Sequence, residues 1–178
     1  MFTRWLKRDD QRGNIDRLYG AIVAQARTPA FYADFEVPDT VEARFDMVVL
    51  HVHLVVRRLL AADDAARAAG QALCDRFFDD MDANLRELGV GDLLVPRKMR
   101  SFAEAFYGRA ASYDAVLKDA DESALAAALA RNVLGSEASK RAGERLARYV
   151  WRAEAELARQ DAGAVARGEV GFPRAEEA

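Results

Sequence analysis

A cluster of carboxylates is the first group in this sequence that could do chemistry. The members of the cluster fall within eight residues and are Asp75, Asp79, Asp80 and Asp82. On a helix, Asp75, Asp79 and Asp82 share one face, and carboxylates so placed can hold Mg²⁺ together with a diphosphate. A magnesium-dependent, diphosphate-using helical enzyme is therefore one hypothesis.

Two features weaken the enzyme hypothesis. The Asp-Asp-x-x-Asp string of helical prenyl-transferring enzymes is incomplete, because residue 83 is Ala, and the sequence has no second acidic motif. A calcium loop starting at Asp80 is excluded because Leu85 stands where the turning glycine belongs and Gly91 where the bidentate glutamate belongs. The competing interpretation is a solvated acidic face that pairs with Arg86, Arg97 or Lys98.

The remaining reactive residues do not form a catalytic group. His51 and His53 are the only histidines, and a helix turns about 200° over two residues, so they lie on opposite faces and do not share a metal. Cys74 lies on the same helical stripe as Phe78 and Met81, where a buried thiol is commoner than a nucleophile. The sequence has no Gly-x-Ser-x-Gly elbow. We expect no enzyme activity, no metal and no cofactor.

A mixed basic and apolar segment is the best candidate for binding a partner, because many recognition surfaces combine such groups. The candidate partner-binding residues are Arg97, Lys98, Met99, Arg100, Phe102, Phe106, Tyr107 and Arg109. The alternative is that Met99, Phe102 and Phe106 are core residues flanked by the cations. A DNA-binding regulator is a further hypothesis, because the turn at 89–95 precedes Arg97, Lys98 and Arg100.

The first thirteen residues are predicted to form a basic, flexible N-terminus. Its candidate membrane contacts are Arg4, Trp5, Lys7 and Arg8, which could lie on an anionic membrane face. A plain disordered N-terminus explains the same residues.

Hydrophobic periodicity predicts an all-α fold: a single compact bundle of about six helices within residues 14–160. The central helix near 41–60 is apolar on every side, since 47–56 contain no charged residue. Asp39 and Glu42 suggest a capping box before it, Gly89 a left-handed helix end, and Asp121 another cap. Residues 161–178 are rich in glycine and are predicted to be a disordered tail.

Composition bounds the remaining expectations. The chain has 178 residues, 51% of them hydrophobic and 31% charged, and a net charge of −3, which lacks the basic field of most nucleic-acid binders. One cysteine fits a reducing compartment. No run approaches the length of a membrane span, and the start lacks a secretory signal. We expect a soluble, cytoplasmic domain that binds no nucleic acid.

Eight segments within about residues 14–150 form a recognisable combination: Tyr19–Arg27, Phe31–Tyr32, Pro38–Thr40, Arg44–Met47, Leu50–Val52, Asp80–Asp82, Leu85–Asp92 and Ala105–Arg109. Together and in this order, they resemble the ubiquinol–cytochrome c chaperone family.

The resemblance implies an all-helical, non-enzymatic assembly factor without a cofactor of its own. Its client would be newly made cytochrome b, handled during biogenesis of the cytochrome bc1 complex. We expect an exposed apolar groove to cover client helices while basic residues steer the protein toward the inner membrane, where it could be peripheral. The face that binds the client and the oligomeric state stay open.

Overall fold

The computed structural model describes residues 2–135 and 140–175, and it describes side chains from residue 10 onward. The described chain contains no strand, and the predicted all-α class is confirmed. It has two more α-helices than predicted, both short, and one π-helical turn. The elements are α1 Phe2–Ala26, α2 Pro29–Ala33, α3 Val41–Leu60, α4 Asp64–Glu87, α5 Val95–Lys118, α6 Glu122–Leu129, the π-turn Ala130–Leu134, α7 Lys140–Arg159 and α8 Ala162–Ala166.

Helix α3 is the centre of the bundle, as its sequence predicted. All ten residues from 47 to 56 are buried, and α3 contacts α1, α4, α5, α7 and α8. The predicted cap was wrong by one residue. The side chain of Thr40 accepts the hydrogen bond from Ala43 N at 3.2 Å, whereas Asp39 pairs with Arg44 at 2.6 Å. Thr40 has the extended backbone conformation that an N-cap requires.

Helices α1 and α4 run parallel to each other. Arg76 binds Asp16 at 2.7 Å and stacks on the Tyr19 ring, and the Tyr19 hydroxyl donates to Asp80 at 2.9 Å. Residue numbers rise together along both helices in these contacts. The N-terminal end of α1 therefore lies at the end of the bundle where α3 finishes and α4 begins.

Helices α4 and α5 form an antiparallel hairpin. Rings of Phe77 and Phe78 contact Phe106 at centroid distances of 5.4 and 5.6 Å, and Phe78 also contacts Tyr107. Gly89 has a φ of 78°, which confirms the predicted left-handed end of α4. Leu88, which directly follows α4, is 79% exposed.

Helices α6 and α7 pack through a glycine. A Cβ on Gly143 would sit 2.9 Å from the carbonyl oxygen of Ala126. Asp121 caps α6 by accepting from Ala124 N at 2.9 Å, as predicted. The π-turn that follows is not visible in the hydrophobic pattern.

Both ends of the chain differ from the sequence expectation. Residues 2–13, expected to be flexible, continue α1. Residues 161–175, expected to be a disordered tail, fold back on the bundle: Asp161 caps α8, and Val165 and Ala175 are buried in the core. Gly168, with a φ of 87°, follows α8 in a turn. The glycine content of this segment suggested disorder, but the few apolar side chains between the glycines are enough to hold the segment against the bundle.

Candidate partner-binding surface

The eight candidate partner-binding residues of α5 are split by the structure. Arg97, Lys98, Arg100 and Tyr107 are exposed, and Tyr107 keeps 57% of its surface in water. Met99 and Phe102 are half-buried, and the Phe102 ring contacts Phe45 of α3 at 5.3 Å. We call these six residues the α5 surface: Arg97, Lys98, Met99, Arg100, Phe102 and Tyr107.

Two of the eight candidates serve the interior of the bundle. Phe106 is 3% exposed and packs between Phe77 and Phe78, so it is a core residue. Arg109 binds Asp46 of α3 at 3.0 Å. Burial raises the pKa of Asp46 to about 6, although the adjacent Arg109 opposes this shift. Desolvation therefore outweighs the ion pair at this contact.

The connection between α4 and α5, residues 88–94, carries apolar side chains that sequence reasoning did not single out for binding. We call it the α4–α5 corner. Leu88, Leu93 and Leu94 are 79, 94 and 54% exposed. No periodicity could identify them, because a short apolar run in a loop has no helical phase.

Exposed cations follow the corner on the first turns of α5. In the described part of the chain, Arg97, Lys98 and Arg100 form no ion pair. The acid of the corner, Asp92, is bound by Arg86 at 2.7 Å. The exposed leucines of the α4–α5 corner thus lie next to cations of α5 that form no ion pair within the described residues.

The candidate membrane contacts Arg4, Trp5, Lys7 and Arg8 lie in the first turns of α1, but their side chains are outside the described residues. Membrane contact by this segment stays a prediction. The parallel arrangement of α1 and α4 directs the start of α1 away from the α4–α5 corner. The two basic segments are therefore at opposite ends of the bundle.

The acidic run of α4 is used for packing and surface pairing. Asp80 binds α1 through Tyr19, Asp82 binds Arg86 at 2.6 Å, and Asp75 accepts from Gln71. Within the described residues, no group of three or more His, Cys, Asp or Glu side chains could hold a metal ion. The diphosphate hypothesis gains no support from this geometry.

The DNA-binding hypothesis gains no support either. A helix-turn-helix needs its helices to cross at about 90–120°. Rings of Phe77 and Phe78 contact Phe106 and Tyr107 about ten residues from the turn on either helix, which requires α4 and α5 to lie side by side there instead of diverging at such an angle.

His51 belongs to a buried hydrogen-bond chain. Its Nδ1–H donates to Met47 O at 2.8 Å, its Nε2 accepts from the Tyr149 hydroxyl at 2.8 Å, and Gln25 donates to that hydroxyl at 3.0 Å. Burial lowers the pKa of His51 to about 4. In the neutral imidazole both ring nitrogens are hydrogen-bonded, so His51 connects α1, α3 and α7. Neither nitrogen is available for catalysis.

His53 lies on the opposite side of α3, as its spacing from His51 predicted. Its Nε2 is 3.5 Å from Asp114, which also accepts from Arg57 at 2.8 Å, and Arg57 reaches Glu154 on α7. Burial lowers the pKa of His53 while the Asp114 carboxylate raises it. This group ties α3 to α5 and α7.

Neither Cys74 nor a cavity between α6 and α7 resembles a reaction centre. Burial raises the pKa of Cys74 to about 11, so the thiol stays protonated. A cavity of about 560 Å³ lies between α6 and α7, where Glu122, Lys140, Glu144 and Arg148 line it beside alanines. Its lining carries both signs of charge, and its one hydroxyl, on Ser123, has no histidine beside it.

No helix in the described chain is both long and apolar enough to cross a bilayer.

Comparison with known proteins gives a consistent result. A profile of the ubiquinol-cytochrome C chaperone family matches residues 33–172. A Xenopus laevis protein named ubiquinol-cytochrome-c reductase complex assembly factor 1 is 27% identical over 121 residues, which are 68% of this chain and 60% of that protein. The crystal structure of the Cbp3 homolog from Brucella abortus is similar at a TM-score of 0.87, with 36% identity over 99% of both chains.

Proposed function

Because the chain belongs to the ubiquinol-cytochrome C chaperone family, we propose that it is an assembly chaperone of the cytochrome bc1 complex that binds newly made cytochrome b. The observation that carries the proposal is the family match over residues 33–172, to which the name of the Xenopus relative adds the assembly role. The proposed role is binding, with no catalytic step and no cofactor. The chain matches only 60% of that relative, so the role is argued from this domain alone.

The physical task of such a chaperone is to cover apolar helix faces that would otherwise aggregate. The α5 surface suits this task because Tyr107 is 57% exposed beside the half-buried Phe78 of α4. Met99 and Phe102 add half-buried apolar area. Apolar burial of this kind is about 25 cal/mol per Å², so a surface of a few side chains gives modest, reversible affinity. Reversibility lets the client pass on to its partner subunits.

Cations on α5 give the surface its orientation. Arg100 and Tyr107 are seven residues apart, two helical turns, and therefore face the same side. Positive charge beside an apolar contact steers association with anionic partners and sets specificity more than affinity. We place the protein in the cytoplasm, in peripheral contact with the inner membrane, because its proposed client is a membrane protein.

The test is capture of cytochrome b by the tagged protein from detergent-solubilised native membranes, measured by the haem b spectrum and mass spectrometry. The variant Tyr107→Ser with Arg100→Glu should lower capture at least tenfold. The matched control, Leu60→Ser with Arg141→Glu, changes an exposed leucine and an exposed arginine elsewhere and should capture normally. Capture that neither pair alters would contradict the assignment to the α5 surface, and absence of cytochrome b from every eluate would contradict the function.

A further inference from the structure

The α4–α5 corner is an apolar projection rather than a groove. Every residue from 86 to 94 is exposed except Val90, which is half-buried. Leu93 keeps 94% of its surface in water, and Leu88 and Leu94 keep more than half of theirs. A projecting corner has no concave wall that could enclose a client helix, so its leucines need an occupant that can surround them.

We propose that the α4–α5 corner inserts into the interfacial layer of a bilayer that contains anionic lipids. Leu88, Leu93 and Leu94 reach the boundary of the acyl chains, and Arg97, Lys98 and Arg100 bind the lipid phosphates. The inference goes beyond the proposed function, because it concerns how the protein meets the membrane and not which client it holds.

Spacing along α5 matches the depth of that layer. Arg97 follows Leu94 by three residues and Arg100 by six, which places them about 4.5 and 9 Å further along a helix that rises 1.5 Å per residue. Interfacial segments bury their apolar groups about 5–10 Å into the boundary between headgroups and acyl chains. With α5 standing along the bilayer normal, the cations reach the phosphates when the leucines reach the acyl boundary.

Part of the backbone of the corner can leave water without losing hydrogen bonds. Gly89 N donates to Arg86 O at 2.9 Å, Val90 N to Leu85 O at 3.0 Å, and Leu94 N to Gly91 O at 2.8 Å. An amide group without a partner is costly to place in an apolar phase, and these amides have partners inside the turn.

Charge around the corner favours an anionic surface. Between residues 88 and 103 the cations are Arg97, Lys98 and Arg100, against the single acid Asp92, which is bound by Arg86 at 2.7 Å. Glu87 and Glu104 flank this stretch and are exposed. The net positive charge thus sits on the first turns of α5, directly behind the leucines.

The base of the corner is rigid. Leu85 and Val95 are both buried at the two ends of the connection, so the leucines are presented on a fixed turn and not on a loose loop. Presentation on a fixed turn lowers the ordering cost of insertion.

The experiment is flotation of the purified full chain with vesicles of phosphatidylcholine alone or with about one third phosphatidylglycerol. The wild type should float with the anionic vesicles at low salt and lose that binding at high salt, because surface charge is screened. Leu93→Ser with Leu94→Ser should lower the partition coefficient at least tenfold. Replacing Arg97, Lys98 and Arg100 by Gln should cost about fivefold per cation on anionic vesicles.

Leu60→Ser is the matched control, since Leu60 is a half-exposed leucine at the end of α3. It precedes the start of α4, whose 24 residues separate it from the corner by about 36 Å. This variant should leave flotation unchanged. A wild type that stays unbound to anionic vesicles would overturn the proposal. A loss at Leu60→Ser without a loss at Leu93→Ser with Leu94→Ser would also overturn it, by moving the contact to the end where α1 begins.

Capture of cytochrome b in detergent separates this inference from the proposed function. The variant Leu93→Ser with Leu94→Ser should keep that capture, because detergent removes the bilayer and not the client. If the wild type does not bind vesicles and the corner variant no longer captures cytochrome b, the corner is a client contact. That result would contradict bilayer insertion. Circular dichroism and the urea midpoint of each variant should match the wild type, because the altered side chains are exposed.

Discussion

The buried hydrogen-bond chain at His51 gives the sharpest quantitative test of the fold. Tyr149→Phe removes one hydroxyl and leaves the ring that packs against Phe31 at 4.8 Å. His51 Nε2 then loses its donor at 2.8 Å, in a side chain that is fully buried. Gln25 loses one acceptor, but it remains part-buried and still lies 3.4 Å from the carbonyl oxygen of Pro173.

A buried polar atom left without a partner costs about 1–3 kcal/mol. His51 Nε2 is at the upper end of this range in burial, but the phenylalanine ring keeps the apolar contacts of the tyrosine. We therefore expect Tyr149→Phe to lower the free energy of unfolding by about 2 kcal/mol. For a chain of this size, that loss lowers the melting temperature by about 6 °C.

Urea unfolding followed by circular dichroism measures the loss directly. Tyr107→Phe is the matched control, because it removes a hydroxyl from a tyrosine that is 57% exposed, and it should change the free energy of unfolding by less than about 0.5 kcal/mol. Equal midpoints for Tyr149→Phe and the wild type would refute the described role of the Tyr149 hydroxyl.

Three other predictions follow from the same packing. Gly143→Ala should lower the free energy of unfolding by about 2 kcal/mol, because its Cβ would press on the Ala126 carbonyl. Gly108→Ala, whose Cβ meets nothing within 4 Å in the interior of α5, should raise that free energy by about 0.5 kcal/mol. Urea unfolding of both variants tests this difference. His51 should titrate at about pH 4 in an NMR titration. Because its native pKa lies below the unfolded value, its contribution to stability is present above about pH 6.5 and is lost as the pH falls toward 4. A native pKa near 6.5 would contradict its burial. Cys74 should react with a thiol reagent at least a hundredfold slower in the native state than in urea, and equal rates would show that it is accessible.

Elements with a strong local signal were predictable from sequence. The uncharged stretch 47–56 could only be a buried helix, and the Asp121 cap follows from a side chain that satisfies a nearby backbone amide. Local rules failed where partners compete. Thr40 displaces Asp39 as the cap of α3 because Arg44 takes the Asp39 carboxylate.

Contacts between distant residues were not predictable. His51 and Tyr149 are 98 residues apart, and the sequence around neither residue indicates that the two side chains are in contact. Leu88 is spaced three residues from the buried Leu85, yet it directly follows α4 and is 79% exposed. The same limit applies to the candidate surface: sequence placed apolar and basic residues on α5, and only packing separated Phe106 from Tyr107.

The most direct test of the central claim is the amount of cytochrome bc1 complex in cells that lack this protein. Membranes of the deletion strain should show a large loss of the haem b signal and of assembled complex on native gels, and the wild-type gene should restore both. Restoration by Leu60→Ser with Arg141→Glu, and not by Tyr107→Ser with Arg100→Glu, would connect assembly to the α5 surface. A deletion strain with normal haem b and normal assembled complex would contradict the proposed function.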